Sequence, residues 1–187
     1  MRRAAVVTML LAIVSVTTAT GFDGHRKGFV LGGGIGFAPV AKWSVEESFL
    51  GHTVLSVEET RAGVGLNMLI GYAWDEKNMI IYEGNAVGYW SEIRDESIGQ
   101  GFGGAAWYHY YGPKGKSGFT TAGMGLYSFD PETRDANDAG FGMLLGGGYE
   151  FARHWQVGGY LSFGTSSYHG LDYRHSHLSV LVSGVAF

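Results

Sequence analysis

Strict two-residue alternation between bulky apolar side chains and glycine is the feature that most narrows what this chain can become. From Ala62 one set reads Ala62, Val64, Leu66, Met68, Ile70, Tyr72 and Trp74; the set between reads Arg61, Gly63, Gly65, Asn67, Leu69, Gly71 and Ala73. Phe29, Leu31, Ile35 and Phe37 alternate in the same way with Val30, Gly32, Gly34 and Gly36, and the pattern returns over 140–151 and 155–163. A period of two puts successive side chains on opposite faces of a strand. Each segment is therefore a strand with one large apolar face and one face of small or polar residues. Eight such segments are predicted, at about 28–38, 60–74, 79–90, 101–111, 118–128, 140–151, 155–164 and 174–187. The gaps alternate in length. Those at 39–59, 91–100, 129–139 and 165–173 are long, and those at 75–78, 112–117 and 152–154 are short. Tight turns make consecutive strands antiparallel neighbours, so the short turns gather at one end of the sheet and the long connections at the other.

The faces decide between two closed sheets. In a soluble barrel the apolar face points inward and water meets the other face. Here water would meet almost bare glycine, where strand surfaces normally carry Thr, Lys, Glu or Gln. Turned inside out, the residues fit: small and polar groups fill a narrow lumen and lipid covers the bulky face. The expected fold is an all-β, eight-stranded, antiparallel up-and-down transmembrane barrel. Glycine supplies 32 of 187 residues, against a usual ~7%. The chain has no cysteine, which removes disulfides, thiolate metal sites and cysteine nucleophiles. A formal charge of −4 gives no electrostatic footprint for nucleic acid, and nothing in the sequence implies a cofactor.

The N-terminus reads as an address. Met1, Arg2 and Arg3 precede a thirteen-residue apolar run, Ala4 to Val16, and Thr17, Thr18 and Ala19 follow as a small-residue cleavage site. Thirteen residues suit a signal-peptide core and fall short of the ~20 that a spanning helix needs. Residues 1–19 are expected to be a signal peptide, and 20–187 the barrel domain of a protein exported to the outer membrane.

These marks resemble the small outer-membrane β-barrel superfamily of Gram-negative bacteria, the eight-stranded group with OmpA- and OmpX-like barrels. The resemblance covers the mature chain and rests on the signal peptide, the opening strand from Lys27 to Gly34, and the terminal Val185, Ala186 and Phe187. It implies that Phe187, with Val185 and Leu181 at alternate positions before it, is the signal read by the barrel-assembly machinery. It also implies a monomer surrounded by outer-membrane lipids and lipopolysaccharide.

If Phe187 and the aromatic faces point outward, then Arg61, Asn67, Glu83, Asn85, His109, Glu150, Gln156, Tyr160 and Arg174 point in. Buried charges must be paired, so these residues are expected to form a polar lumen network, with Glu83 near Tyr108 or His109 and Glu150 opposite Gln156. A satisfied network plugs the barrel, whereas a loose one would be a small-solute pore. The long connections carry twelve acidic side chains against three basic ones. Among them Asp130, Glu132, Asp135 and Asp138 could offer hard oxygen ligands to a divalent cation, although their spacing is not that of a helix–loop–helix calcium site. His177 and Ser179 form a His-x-Ser pair on one strand face, the minimum for nucleophilic acyl transfer. The pair resembles the active-site strand of lipid A deacylases, and by parity with Phe187 it would face lipid. That family follows the pair with Asn and later an acid; here Val180 follows, and no acid lies between Ser179 and Phe187. The sequence thus favours a non-enzymatic barrel with an envelope-structural or surface-interaction role. A deacylase-like esterase and a small-solute pore are the alternatives.

Overall fold

The computed structural model describes residues 25–49, 52–131, 138–168 and 171–187; the expected signal peptide lies outside them. Eight antiparallel strands close into a barrel in sequence order: β1 Gly28–Phe49, β2 His52–Ala73, β3 Asn78–Ser91, β4 Glu96–Tyr110, β5 Ser117–Pro131, β6 Asp138–Ala152, β7 Trp155–Tyr168 and β8 Leu171–Ala186. The β1–β8 ladder, with Leu31 opposite Ala186 and Phe37 opposite Val180, completes the ring.

Closure leaves an outer surface rich in apolar side chains. Ile35, Phe37, Val64, Leu66, Met124, Leu126, Phe141, Val180 and Val182 are all exposed. Near the turn end Tyr72, Trp74, Trp107, Tyr111, Tyr149, Phe151 and Trp155 form an exposed aromatic girdle. So continuous an apolar surface belongs in lipid. The turns are locally determined: Asp75 Oδ1 accepts the backbone N–H groups of Lys77 and Asn78, each at 2.7 Å, and closes the β2–β3 turn.

The strands outrun the expected segments, and that corrects three readings. First, most of the anticipated long connections are strand: β1 and β2 continue as a hairpin to Phe49 and His52, and β3 meets β4 through only four residues, 92–95. Asp95 takes a left-handed backbone conformation there (φ 53°). Because β4 starts at Glu96, the register places Glu83 opposite Gly104 rather than near His109, which pairs with Asn78. Second, β1 contains a bulge between Ala38 and Ala41, at Pro39, which has no N–H to give a ladder. The extra residue reverses the facing of β1, so that Ala38, Ala41, Trp43 and Val45 all point inward. Third, β8 is turned the other way round from the expected parity. Leu178, Val180 and Val182 face lipid, and Leu181, Val185 and Phe187 are buried inside. Near its end β8 carries apolar residues on both faces, so alternation alone does not orient it; pairing with Phe37 on β1 does.

The ladder is incomplete at one end. Among the described residues, pairing between β2 and β3 stops at Val64–Gly88, and pairing between β6 and β7 stops at Gly142–Gly164. These seams are four strands apart, on opposite sides of the ring. Beyond them one four-stranded sheet (β7, β8, β1, β2) faces another (β3, β4, β5, β6).

Candidate functional site

The lumen is filled in layers. At the turn end Arg26, which precedes β1, is buried beneath the barrel floor. Its Nε donates to Glu150 Oε2 at 3.1 Å, and its Nη1 donates to the carbonyls of Glu76 (2.7 Å) and Gly112 (3.2 Å). The guanidinium lies 4.2 Å from the Tyr110 ring centroid, and Tyr110 donates to Gln156 Oε1 at 2.7 Å.

Above this floor, Tyr108 donates to Glu83 Oε2 at 2.7 Å. The His177 ring bridges two strands: Tyr127 Oη meets its Nδ1 at 2.7 Å, and its Nε2 meets Asn85 Oδ1 at 2.9 Å. Tyr160 fills the space between, and inward glycines make room for it. A Cβ on Gly158 or Gly146 would lie 2.8 Å from its ring carbons. Trp43, Tyr89, Ile98, Phe129 and Tyr173 pack as an aromatic layer toward the other end, with the His175 ring 4.5 Å from that of Phe129.

Beyond the lipid belt, Glu59 spans the β2–β3 seam. Its carboxylate accepts from Trp43 Nε1 (2.9 Å), Arg61 Nε (2.9 Å), the Ser91 hydroxyl and the Glu92 N–H (2.9 Å), while Arg61 also pairs with Glu92 at 2.6 Å. Burial pushes this carboxyl up, but the four donors outweigh it and hold the pKa at about 2.

Of the residues expected to line the lumen, the structure brings Asn67, Glu83, Asn85, Glu150, Gln156 and Tyr160 inside, all buried. Arg61 is half-buried at the seam. Two others lie on the opposite face. His109 sits outside between Trp107 and Tyr111, because Tyr108 and Tyr110 take the inward positions of β4. Arg174 is exposed on the outer face of β8. His177 and Ser179 are corrected in the other direction, since both are fully buried in the lumen and neither meets lipid. Ser179 donates to Asn85 Oδ1 at 3.3 Å, and both imidazole nitrogens of His177 are engaged elsewhere. No nitrogen is left to take a proton from Ser179, so the pair lacks the geometry of acyl transfer.

Asp130 is exposed near the end of β5; Glu132, Asp135 and the side chain of Asp138 lie outside the described residues. No three His, Asp or Glu residues among those described converge on a metal position. Sequence reasoning missed Arg26 and Trp43. Arg26 stands before the first alternating segment, and Trp43 lies past the Pro39 bulge; Pro39 itself was the available signal.

No protein-family model matches the chain, and no curated protein sequence does. Solved structures do match. Neisserial surface protein A superposes with a TM-score of 0.51 at 14% identity, covering 88% of this chain and 98% of that one. The outer membrane protein OprG from Pseudomonas aeruginosa gives 0.50 at 12% identity, with 88% and 98% covered. The chain has the fold of the small eight-stranded outer-membrane barrels. At such low identity this barrel shares their architecture alone.

Proposed function

We propose that this protein is a non-enzymatic, monomeric outer-membrane barrel with a plugged lumen, whose role is envelope structure or surface interaction. The observation that carries the reading is the stack of buried polar and aromatic groups from Arg26–Glu150 through Glu83–Tyr108 and Tyr127–His177–Asn85 to the Trp43 layer. An eight-stranded barrel is narrow enough for side chains to fill, and here Glu83 with Tyr108, and Tyr127, His177 and Asn85, direct hydrogen bonds at one another across it.

The turn end would face the periplasm and the β1–β2 hairpin the exterior, as in barrels with short periplasmic turns. Partners would be outer-membrane lipids and lipopolysaccharide around the belt and, during biogenesis, the assembly machinery acting on β8. Because Phe187 points inward, any assembly signal would be read before the ring closes. The hairpin and the acidic segment 129–139, which includes the ends of β5 and β6, would be the surfaces presented outside.

Planar-bilayer recording of the purified barrel tests the plug. Wild type should show no steady conductance, and Tyr108→Ala/Tyr160→Ala, which empties the middle layer, should show discrete openings. Steady wild-type conductance would replace the plug with a pore.

A further inference from the structure

We infer that the turn end of the barrel binds the phosphate of an anionic phospholipid in the adjoining leaflet, through Lys77, Lys114 and Arg153. A cavity of about 640 Å³ opens there between the β2–β3, β4–β5 and β6–β7 turns. Its charges do not balance. Arg26 is matched by Glu150, which leaves the Glu76 carboxylate, held by the His25 ring at 3.0 Å and the Arg26 N–H at 3.2 Å, as one negative charge against the three cations Lys77, Lys114 and Arg153. Lys77, Lys114 and Arg153 line the same cavity, and among the described residues no carboxylate lies within ion-pair distance of any of them.

Lys114 gives the clearest sign. Its ammonium is shielded from solvent and has no hydrogen-bond acceptor; its neighbour is the Phe187 ring, 4.7 Å away. Burial accordingly lowers its pKa. A desolvated ammonium without an acceptor is costly, and an oxyanion between it and the two other cations would remove that cost through charge-assisted hydrogen bonds. Membrane lipid is favoured over a soluble anion by the cavity's position. Tyr111 forms part of its wall and belongs to the exposed aromatic girdle, so the opening lies at headgroup depth.

The test uses the full mature barrel, refolded in neutral detergent and exposed to equimolar phosphatidylglycerol and phosphatidylcholine, with retained lipid counted by native mass spectrometry. One phosphatidylglycerol should be retained in preference to phosphatidylcholine. Arg153→Gln should lower that retention about fivefold, the effect of one cation near an anionic surface. Lys77→Gln/Lys114→Gln/Arg153→Gln should abolish the preference, and Lys42→Gln at the far end should leave it intact. Heat-modifiable gel migration verifies that each variant is folded; should the triple variant fail to fold, Arg153→Gln decides. Equal retention of the two lipids, or equal loss in Lys42→Gln, would overturn the site. Broadening of the phosphorus resonance of inorganic phosphate without lipid retention would overturn the lipid assignment in favour of a soluble anion. None of these outcomes bears on the plug, which conductance reads separately.

Discussion

Replacing Arg26 by Ala should be among the most damaging single changes in the barrel. The residue is 1% exposed and ties three separate segments together: Glu150 at the end of β6, the Glu76 carbonyl in one turn and the Gly112 carbonyl in another. Each hydrogen bond from a charged donor is worth ~1.5–3 kcal/mol, but these three and the bond from Nη2 to Glu150 Oε2 share one side chain and do not add. The better guide is loss of one partner from a buried ion pair, which costs ~3–5 kcal/mol because the other charge is stranded. Against a total stability of ~5–15 kcal/mol, that is a large fraction. Removing Glu150 as well relieves the stranding, so Arg26→Ala/Glu150→Ala should be less destabilised than the sum of the single variants by at least ~1 kcal/mol. Arg26→Lys should rescue only partly, since a single ammonium cannot reach Glu150 and both carbonyls in the forked geometry of a guanidinium. Equilibrium urea unfolding in lipid vesicles, followed by tryptophan fluorescence, measures wild type, Arg26→Ala, Glu150→Ala, the double variant and Arg26→Lys. If Arg26→Ala stays within ~0.5 kcal/mol of wild type, or if the two changes simply add, the ion pair does not hold the floor in place.

Leu66→Arg, on the exposed outer face of β2, should cost ~2–4 kcal/mol if it lies near the bilayer midplane. Spin labels at 66 and 70 should be open to lipid-phase oxygen, and those at 65, 67 and 69 should not. Gly158→Ala places a methyl 2.8 Å from the Tyr160 ring and should cost ~1–3 kcal/mol, recovered by a smaller residue at 160; a neutral Gly158→Ala would mean the ring is not where it is described. Glu59 titrates below its ordinary carboxyl range when folded, so the stability it contributes is fully present above about pH 5 and is lost as pH falls toward about 2. Protection of the Glu92 and Ile93 amides, taken relative to their intrinsic exchange at each pH, should fall over that window in wild type, and Glu59→Gln should flatten the response. Mass spectrometry of lipid A from cells carrying wild type, His177→Ala or Ser179→Ala should give identical spectra, and a deacylated species made only by wild type would restore the enzymatic reading.

Strand number, antiparallel order and the lipid-facing side of β2 were legible because bulky apolar residues there recur at every second position, with mostly small or polar residues between them. What failed to read was parity wherever alternation is broken or doubled. At Pro39 one extra residue reverses β1, and nothing in the period of the first strand announces Trp43 as a lumen residue. On β8 Leu178, Val180, Leu181, Val182 and Val185 make both faces apolar, so orientation depends on a partner strand distant in sequence. That single ambiguity carried His177, Ser179 and Phe187 to the wrong side. On β4 the register failed for another reason: Ile98, Gln100 and Phe102 alternate, but the glycines between them resemble a loop, and leaving out 96–100 shifts the position opposite Glu83 to Gly104; Tyr108 still reaches Glu83, while His109, alternating with it, faces out. The lumen network was visible as a list of polar residues. Pairings between neighbouring strands were partly legible, since Glu150 lies opposite Gln156 and Tyr108 meets Glu83; the links of Arg26 to Glu150 and of His177 to Asn85 were not, because they join segments up to 124 residues apart in the chain.

The two seams give the barrel a division of mechanical labour. Below Val64–Gly88 and Gly142–Gly164, every strand is tied to both neighbours by backbone hydrogen bonds, so that part can loosen only by breaking the ring inside lipid, where nothing replaces the lost bonds. Above them, two half-shells are joined across the β2–β3 seam by side chains such as Glu59 rather than by a backbone ladder. Substitutions or insertions can therefore reshape the half beyond the seams without straining the ring of backbone hydrogen bonds that lies in lipid. Variation at that end and integrity of the lipid-embedded ring become independent properties of a single closed sheet.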